Sequence, residues 1–508
     1  MRRKSTEDTV EPRIILLCSN YAWTVYKFRM PLVRAFRKQG YHVHLLTQLD
    51  EYVPKIEHEF DGVHSLLIDR SGTNPIRDFL TLFNIVFHLI RLKPSVFLTF
   101  TIKPVIYGGL AARVTGVRAI PNITGLGVIF IRDNWQTWLV KKLYRQALSR
   151  SARIFFQNKD DRQLFLDDGL VEREITDCLP GSGVDLAYFT HTPKITSTSA
   201  KESFRFLLIA RMLWDKGVRE YVEAARLLLQ SNPHAEFCLL GFLDVQNPAA
   251  VSSEQMDEWI TEGVVNYLGV SDDVRDEILA ADCVVLPSYY PEGVPRSLLE
   301  SAAMARPIIT TDSVGCREVV DDGANGFLCK PRDAENLAAK MEQMMKLSAE
   351  ARFQMGKNGR AKMEQEFDES IVINRYLHEI KEVLNHPKPR DASLSRWLFW
   401  ATCLLLIFIS LAPFNPTLFA DSKINFLDKI HHISAYCALC VVGFLAYRKH
   451  VFFVVTGLFF MGVMIEAAQY ATGWRYMELG DILANAVGIT IGFGLFNVLF
   501  TKNGELRE

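Results

Sequence analysis

The sequence predicts two doubly wound α/β domains followed by an all-α bundle of about four transmembrane helices. Three observations carry this. From residue 13 to about 385, short apolar runs alternate with helical stretches, the pattern of parallel sheets covered on both faces. The alternation restarts at Phe204 after a Thr- and Ser-rich stretch, Thr190 to Ser203, so there are two such units. Beyond Asn385 four apolar segments follow one another, each approaching the roughly 20 residues needed to cross a bilayer. The expected division is a tail (1–12), a first α/β domain (13–190), a second (191–385), a Pro- and Arg-containing linker (386–395) and a membrane part (396–508). A chain of 508 residues, 49% hydrophobic, has material for several packed cores.

Arg13 to Ser19 reads as a first buried strand, Tyr26 to Gln39 as a basic helix and Tyr41 to Thr47 as a second strand. Phe83 to Leu92 reads as a helix and Val96 to Thr99 as a strand. Two Gly-rich strand-end loops follow: Thr101-Ile-Lys-Pro-Val-Ile-Tyr-Gly-Gly and Asn122-Ile-Thr-Gly-Leu-Gly. Gly125 and Gly127 either admit a close backbone approach or form a turn. Trp135, Trp138, Leu139, Lys141, Lys142, Tyr144, Arg145 and Arg150 make an aromatic, basic helix. It suits either an anionic membrane surface or an ordinary surface with core aromatics.

The second unit opens with the strand Phe204 to Ala210, then Arg211 and Lys216, then the helix Val218 to Gln230. Two cations at a strand exit can clamp a diphosphate, Arg by its fork and Lys as a point charge. The strand Ala281 to Pro287 leads into Tyr-Pro-Glu292-Gly293-Val294-Pro295-Arg-Ser-Leu-Leu-Glu300 and a helix, Leu298 to Met304. Such a loop-to-helix junction exposes unpaired N–H groups, a seat for phosphate. A mostly helical interval would put Glu292 and Glu300 roughly 12 Å apart, close to the sugar-to-ribose span of a nucleotide sugar. Residues 334–384 read as helices.

Arg211, Lys216-Gly217, Glu292 to Glu300, Gly315-Cys-Arg-Glu318-Val-Val and Asn325-Gly-Phe-Leu328 together resemble the retaining glycosyltransferases of family 4, over residues 13 to 385. The resemblance implies the GT-B fold of two facing Rossmann-like domains, with the last helical segment crossing back onto the first domain. It implies Glu292 on donor-sugar hydroxyls, Glu300 on the ribose, and Arg211 with Lys216 on the diphosphate. Gly241 and the turn Asn266-Tyr267-Leu-Gly269 would line the base, with Gly315 and Glu318 near the donor. Within the family the first domain resembles the branch that extends polyprenyl-diphosphate-linked sugars. That places the acceptor near Lys103, Thr124, Gly125 and Gly127, although Lys103 equally suits a solvated loop. Many relatives carry a Gly-Gly pair where this chain has Ser19-Asn-Tyr-Ala-Trp23, and often a His where Thr124 stands. No metal or other cofactor is expected, because protein cations do the metal's work. The expected partners are a nucleotide sugar (a UDP-sugar in the first instance), a polyprenyl-diphosphate-linked glycan and the bilayer, and no nucleic acid. A nucleotide-sugar 2-epimerase of the same fold is the first alternative.

The net charge of −1 divides into +7 for residues 1–190 and −8 for the rest, which suits an anionic membrane or lipid diphosphate beside the first domain. Nine scattered cysteines, several in apolar runs, read as small core residues of a reducing compartment.

The apolar segments lie near 397–414, 432–447, 451–470 and 482–500. Arg390, Arg396 and the loop Tyr447-Arg448-Lys449-His450 would face the cytoplasm by the positive-inside rule. The expected location is therefore a bacterial inner membrane, multi-pass, with the transferase part cytoplasmic. Polar residues group at the opposite ends: Asp428, Lys429 and His431, then Glu466 and Gln469, then Arg475, Asp481 and Asn485. Such groups are costly in a membrane and suggest function. This pattern, over about 396–500, resembles the VanZ-like family known from glycopeptide-resistance clusters. It reads either as a lipid-headgroup or proton-handling site, or as a polar network ordering the bundle. A non-catalytic lipid-binding or resistance protein acting through this module is the second alternative.

Overall fold

The computed structural model describes residues 13–69, 74–126, 135–190, 203–243, 247–386, 393–411, 422–447, 450–472 and 479–500. Gly127 and Arg475 lie outside them, as does most of the Thr/Ser-rich connector. The chain forms two compact units. One spans Met1–Leu66, Val96–Gly109 and Ala119–His386; the other spans Leu67–Ser95, Leu110–Arg118 and Pro387–Glu508.

The first unit holds two parallel sheets, as expected. Strands β1 (Ile14–Tyr21), β2 (His42–Gln48), β3 (Gly62–Ser65), β4 (Val96–Phe100), β5 (Ala119–Ile123), β6 (Ile154–Phe156) and β7 (Thr176–Cys178) form a seven-stranded sheet in the order β3-β2-β1-β4-β5-β6-β7. Strands β8 (Arg205–Ile209), β9 (Glu236–Leu240), β10 (Asn266–Tyr267), β11 (Cys283–Leu286), β12 (Ile308–Thr311) and β13 (Gly326–Cys329) form a six-stranded sheet in the order β10-β9-β8-β11-β12-β13. Every residue of β4, β5, β11 and β12 is buried. That is why these runs are mostly apolar instead of alternating, with Thr99, Asn122, Thr310 and Thr311 as their buried polar residues. Both orders reverse beside the first strand of their sheet, between β1 and β4 and between β8 and β11. Ligands of open α/β sheets bind at such reversals, off the carboxyl ends of the strands.

The last helix of this unit, Glu369–Asn385, crosses back to the first sheet, as the family resemblance implies. Its Val372, Tyr376, Ile380 and Val383 join the core built by Ile15, Leu17, Val96 and Phe155. Their spacing is one helical stripe, and each such side chain stabilises by about 1.5–3 kcal/mol. The Tyr376 hydroxyl accepts a hydrogen bond of 2.8 Å from Asn122 Nδ2, so the buried phenol is satisfied.

Two local expectations are corrected. The basic helix after β1 is two helices, Ala22–Phe28 and Met30–Lys38, because Pro31 starts a second one. The stretch after β4 is the helix Ile102–Thr115, not a loop. Its glycines serve packing: a Cβ at Gly109 would stand 2.6 Å from the Ala147 carbonyl oxygen.

In the second unit the helices Ser393–Leu411, Ser422–Ala446, Val451–Thr472 and Leu479–Phe500 pack on one another, and the helix Pro75–Leu92 lies against the last of them. Glycine permits the closest contact. A Cβ at Gly488 would stand 2.4 Å from the Ile433 carbonyl oxygen, and one at Gly492 would stand 2.8 Å from Cys440 Cβ, the small-residue packing of helices in lipid. Among the described residues, two helices are long and apolar enough to cross a bilayer: Val451–Tyr470, with a mean hydropathy of 2.2, and Leu479–Phe496, at 1.6. The apolar parts of the other two, Leu398–Ser410 and Lys429–Phe444, are shorter. Of the four segments expected to approach span length, two meet it in length and composition among the described residues. All nine cysteines are free, as their scatter suggested.

Candidate functional site

The site is assembled at the carboxyl ends of β8, β11 and β12. The turn after β8 carries Lys216 and then Gly217, whose φ of +76° favours glycine. A Cβ there would stand 2.1 Å from the Pro287 carbonyl oxygen, so Gly217 lets this turn lie directly on the end of β11. Backbone bonds from Tyr289 and Tyr290 to the Asp215 carbonyl, 3.1 and 3.2 Å, join the two loops. As a result Lys216 Nζ reaches Glu292 Oε1 at 2.5 Å, with the two side chains only 11% and 14% exposed. Ser288, fully buried, donates its hydroxyl to the same carboxylate oxygen at 2.8 Å. Glu292 is held on two sides before any ligand arrives.

Gly315 closes the third side. Its φ is +80°, and a Cβ would stand 1.6 Å from the Gly293 carbonyl oxygen. Gly293 has equally little room: a Cβ there would meet Gln157 Oε1 at 2.0 Å and the Thr124 carbonyl oxygen at 2.7 Å. Those partners belong to the first domain. Gly125, at φ +129°, faces the Gly293 nitrogen, and Asn158 Nδ2 donates to the Glu292 carbonyl at 3.2 Å. Thr124, Gly125, Gln157 and Asn158 therefore border the Glu292 loop. The close approach expected of Gly125 is made to this loop.

The helix that follows, Arg296–Ala303, begins at Pro295 with no side-chain cap and no acidic residue in its first turn. Its N–H groups keep the partial positive charge that favours an anion. Val294 is buried beneath Gly181. Glu300 accepts from Arg296 Nε at 2.7 Å. Burial raises its pKa, and Arg296 opposes the shift. Only the part from Arg296 onward is helical, so the roughly 12 Å expected between Glu292 and Glu300 from a helical rise is not the basis of their separation.

Gly241, Tyr267 and Gly269, expected to line the base, lie together. Gly241 N donates to the Gly269 carbonyl at 2.8 Å, and the Tyr267 hydroxyl donates to the Gly241 carbonyl at 2.8 Å. Gly241 has φ +143°, and a Cβ would stand 1.8 Å from the Ala210 carbonyl oxygen. Arg211 is exposed at the mouth, and its charge opposes the burial that raises the Tyr290 pKa. Glu318 is half-buried. Lys103 sits in the first turn of its helix, half-buried.

Sequence reasoning missed Ser288, Gln157, Asn158 and Arg296. Asn158 had a signal. Asn-Lys-Asp-Asp after an apolar strand is a helix start, and Asn158 does cap the helix Lys159–Asp167 by accepting from Asp161 N. Asp161 lies just beneath; burial pushes its pKa up to about 6 although Asn158 donates to it at 3.0 Å.

In the aromatic, basic helix, Trp135 and Trp138 are 72% and 58% exposed while Tyr144 is core. Lys142 Nζ lies 4.0 Å above the Trp138 ring. In the C-terminal helices, Lys429, Glu466, Gln469, Asp481 and Asn485 come together, and Asp428 is on the same helix as Lys429. The histidine is corrected: His431 is exposed and His432 turns inward. One residue is 100° of helix, enough to move a side chain from one face to another.

Residues 14–158 match the family model described as glycosyl transferase 4-like, and residues 193–362 match the model described as glycosyl transferases group 1. Among curated proteins, the chain is 29% identical over 382 residues to the N,N'-diacetylbacillosaminyl-diphospho-undecaprenol alpha-1,3-N-acetylgalactosaminyltransferase of Campylobacter jejuni, covering 72% of this chain and 97% of the relative. It is 24% identical to the putative glycosyltransferase EpsD of Bacillus subtilis, covering 65% and 87%. Among solved structures, a glycosyltransferase of Rickettsia africae aligns with a TM-score of 0.60 at 17% identity, over 74% of this chain and 99% of that one. HepE of Anabaena, solved with UDP, aligns with a TM-score of 0.59 at 17% identity, over 73% and 99%.

Proposed function

We propose, from the premise that this chain is a group 1 glycosyltransferase of the GT-B fold, that it moves a sugar from a nucleotide donor to a polyprenyl-diphosphate-linked saccharide in surface polysaccharide synthesis. The observation that carries the reading is the Glu292 loop. An acidic side chain fixed by Lys216 and Ser288 stands one short turn before an uncapped helix start, and the backbone of its loop, Pro291 to Gly293, lies against Thr124 and Gly125 of the other domain.

In this reading Glu292 accepts hydrogen bonds from donor-sugar hydroxyls and Glu300 from the ribose, with Arg296 orienting Glu300. Lys216, Arg211 and the N–H groups of the helix start near Val294 to Ser297 stabilise the charge that develops on the departing diphosphate. Their positive charge makes a metal unnecessary for this step. The Gly241–Tyr267 pair, with Gly315 and Glu318, lines the base side. The acceptor hydroxyl enters beside Thr124 and Gly125, and Lys103 meets the acceptor diphosphate. Retention of configuration follows if that hydroxyl attacks on the face the diphosphate leaves. A UDP-sugar is the donor of first choice, because HepE was solved with UDP and UDP-glucose. The acceptor is drawn from the Campylobacter relative, which acts on an undecaprenol diphosphate.

The remaining helices fit a membrane-held enzyme. We read all four C-terminal helices as a VanZ-like bundle in a bacterial inner membrane, with the transferase on the cytoplasmic side. The exposed Trp135 and Trp138, and the exposed Phe79, Leu80 and Phe83 of the helix Pro75–Leu92, supply interfacial side chains. Holding the enzyme at the surface raises the effective concentration of a lipid acceptor. The test is nucleoside-diphosphate release by full-length protein in detergent. Release that requires both a nucleotide sugar and a polyprenyl-diphosphate saccharide supports transfer. Conversion of the nucleotide sugar without acceptor supports the epimerase.

A further inference from the structure

The C-terminal helices bring three metal-ligating side chains together from three different helices. His432 comes from Ser422–Ala446, Glu466 from Val451–Thr472 and Asp481 from Leu479–Phe500. One donor atom of each lies within 4.8 Å of the other two. Glu466 and Asp481 are 0% and 4% exposed. We propose that His432, Glu466 and Asp481 form a site for a divalent transition cation of the Zn²⁺ or Mn²⁺ class.

Four features of the surroundings argue for it. The first is distance. Such ions sit about 2.0–2.2 Å from nitrogen and oxygen donors, so three donors around one ion stand roughly 3–4.3 Å apart. Shifts of a few tenths of an ångström bring the observed group into that range.

The second is the state of the imidazole. His432 Nδ1 lies 2.9 Å from Asn485 Oδ1, an oxygen that only accepts. Nδ1 is then the donor, which leaves Nε2, 3.9 Å from Asp481 Oδ2, as the ring nitrogen placed to ligate. A ring nitrogen and a carboxylate oxygen brought together in this way are two parts of a metal coordination sphere. An outer hydrogen bond that fixes the tautomer of a ligating histidine is the usual support of such a site.

The third is the division of Asp481. Lys429 Nζ binds its Oδ1, which holds the carboxylate in place and leaves Oδ2 on the His432 side. Gly480 makes room for this lysine, since a Cβ there would stand 3.1 Å from Nζ. The fourth is rigidity. Gln469, one turn beyond Glu466, donates to the Ser410 carbonyl at 2.9 Å and ties the Glu466 helix to the first C-terminal helix. Gly462 lets Tyr436 and Asn485 approach the same helix, at 3.1 Å from its hypothetical Cβ. The donors thus hang on tightly packed helices, as a preorganised site requires.

One imidazole and two carboxylates select borderline cations over Mg²⁺ or Ca²⁺, which prefer all-oxygen sets. Three protein donors leave a coordination position for one further oxygen ligand. This departs from the sequence expectation of no metal, and it rests on the C-terminal helices alone.

The test uses full-length protein in detergent, stripped with a chelator and titrated with Zn²⁺ or Mn²⁺ alone. Bound metal is counted by mass spectrometry and affinity measured calorimetrically. One equivalent per chain is expected. Asn485→Ala should weaken the affinity about 10- to 100-fold, and Glu466→Gln and His432→Ala should abolish stoichiometric binding. Co²⁺ added to the unaltered protein gives a second reading that needs no variant to fold: visible absorption bands of a nitrogen- and oxygen-ligated site. An unaltered protein that binds no equivalent, or stoichiometric binding that persists in both Glu466→Gln and His432→Ala, overturns the proposal.

Discussion

Lys216 and Glu292, 76 positions apart in sequence, form a 2.5 Å ion pair in the donor domain, with Ser288 on the same carboxylate oxygen. The sequence suggested a lysine for phosphate and a glutamate for sugar as separate contacts. The structure makes them one unit, in which each charge holds the other in place. Donor binding on the proposed reading then redirects Lys216 toward the diphosphate while Ser288 keeps Glu292 oriented.

Removing one half of this pair leaves the other charge buried. Lys216→Ala should destabilise the fold by about 3 kcal/mol, the low end for breaking a buried pair from one side. The double variant Lys216→Met/Glu292→Gln should recover most of that loss. Denaturant unfolding of the transferase part measures stability, and transfer assays should show both variants inactive. Equal stability of Lys216→Ala and unaltered protein would refute the coupling.

Arg296 is expected to act through Glu300. Losing one charge-assisted hydrogen bond, about 1.5–3 kcal/mol, corresponds to a tenfold or larger rise in KM for the nucleotide sugar. kcat should change less, since the ribose is remote from the reacting bond. Steady-state kinetics of Arg296→Ala beside Arg296→Lys separate the two parameters. A loss confined to kcat would contradict this role.

Gly125 should tolerate no side chain. Alanine there meets an unfavourable φ of +129° and the Gly293 nitrogen at 2.9 Å. A cost above about 1 kcal/mol is expected, and the displaced Glu292 loop should lower activity at least tenfold. Alanine at Gly169, where a Cβ meets nothing within 4 Å, serves as the comparison for backbone strain alone. If the two variants have equal activity, the Gly125–Gly293 contact has no bearing on catalysis.

These particulars show what the sequence carried. The doubly wound sheets were legible because the runs of β4, β5, β11 and β12 are mostly apolar, and the return helix only through the family resemblance, its Val372, Tyr376 and Ile380 repeating every four residues. Lys216, Glu292 and Glu300 were legible as motif residues at strand ends. Ser288 and Gln157 were not, since their role comes from loops meeting in space and no local pattern marks it. Pro31 hid a helix break inside a basic run, and two adjacent histidines could not be assigned to a helix face without the register of Ser422–Ala446.

Two acids, the buried Asp161 and the half-buried Glu369, make stability depend on pH. Burial raises Asp161 to about 6 and Glu369 to about 7, above their ordinary values of 3.8 and 4.5. The folded form therefore binds protons more tightly than the unfolded chain. Their contribution is complete below about pH 4 and is lost as pH rises through 6 and 7. Asp161→Asn should flatten the lower part of this fall and raise stability at pH 7.5 by about 1–3 kcal/mol. Unfolding midpoints from pH 4.5 to 8 check it. A steeper fall in the variant would contradict the assignment.

The most direct measurement is the mass of the lipid product. Full-length protein in detergent is given UDP- and GDP-sugars with an undecaprenyl-diphosphate-linked saccharide. The account predicts a gain of one sugar from one donor, lost in Glu292→Ala and in Lys216→Ala and retained when divalent metal is chelated. A product of the same mass formed equally well by Glu292→Ala, or no glycosylated lipid with any donor, would contradict it.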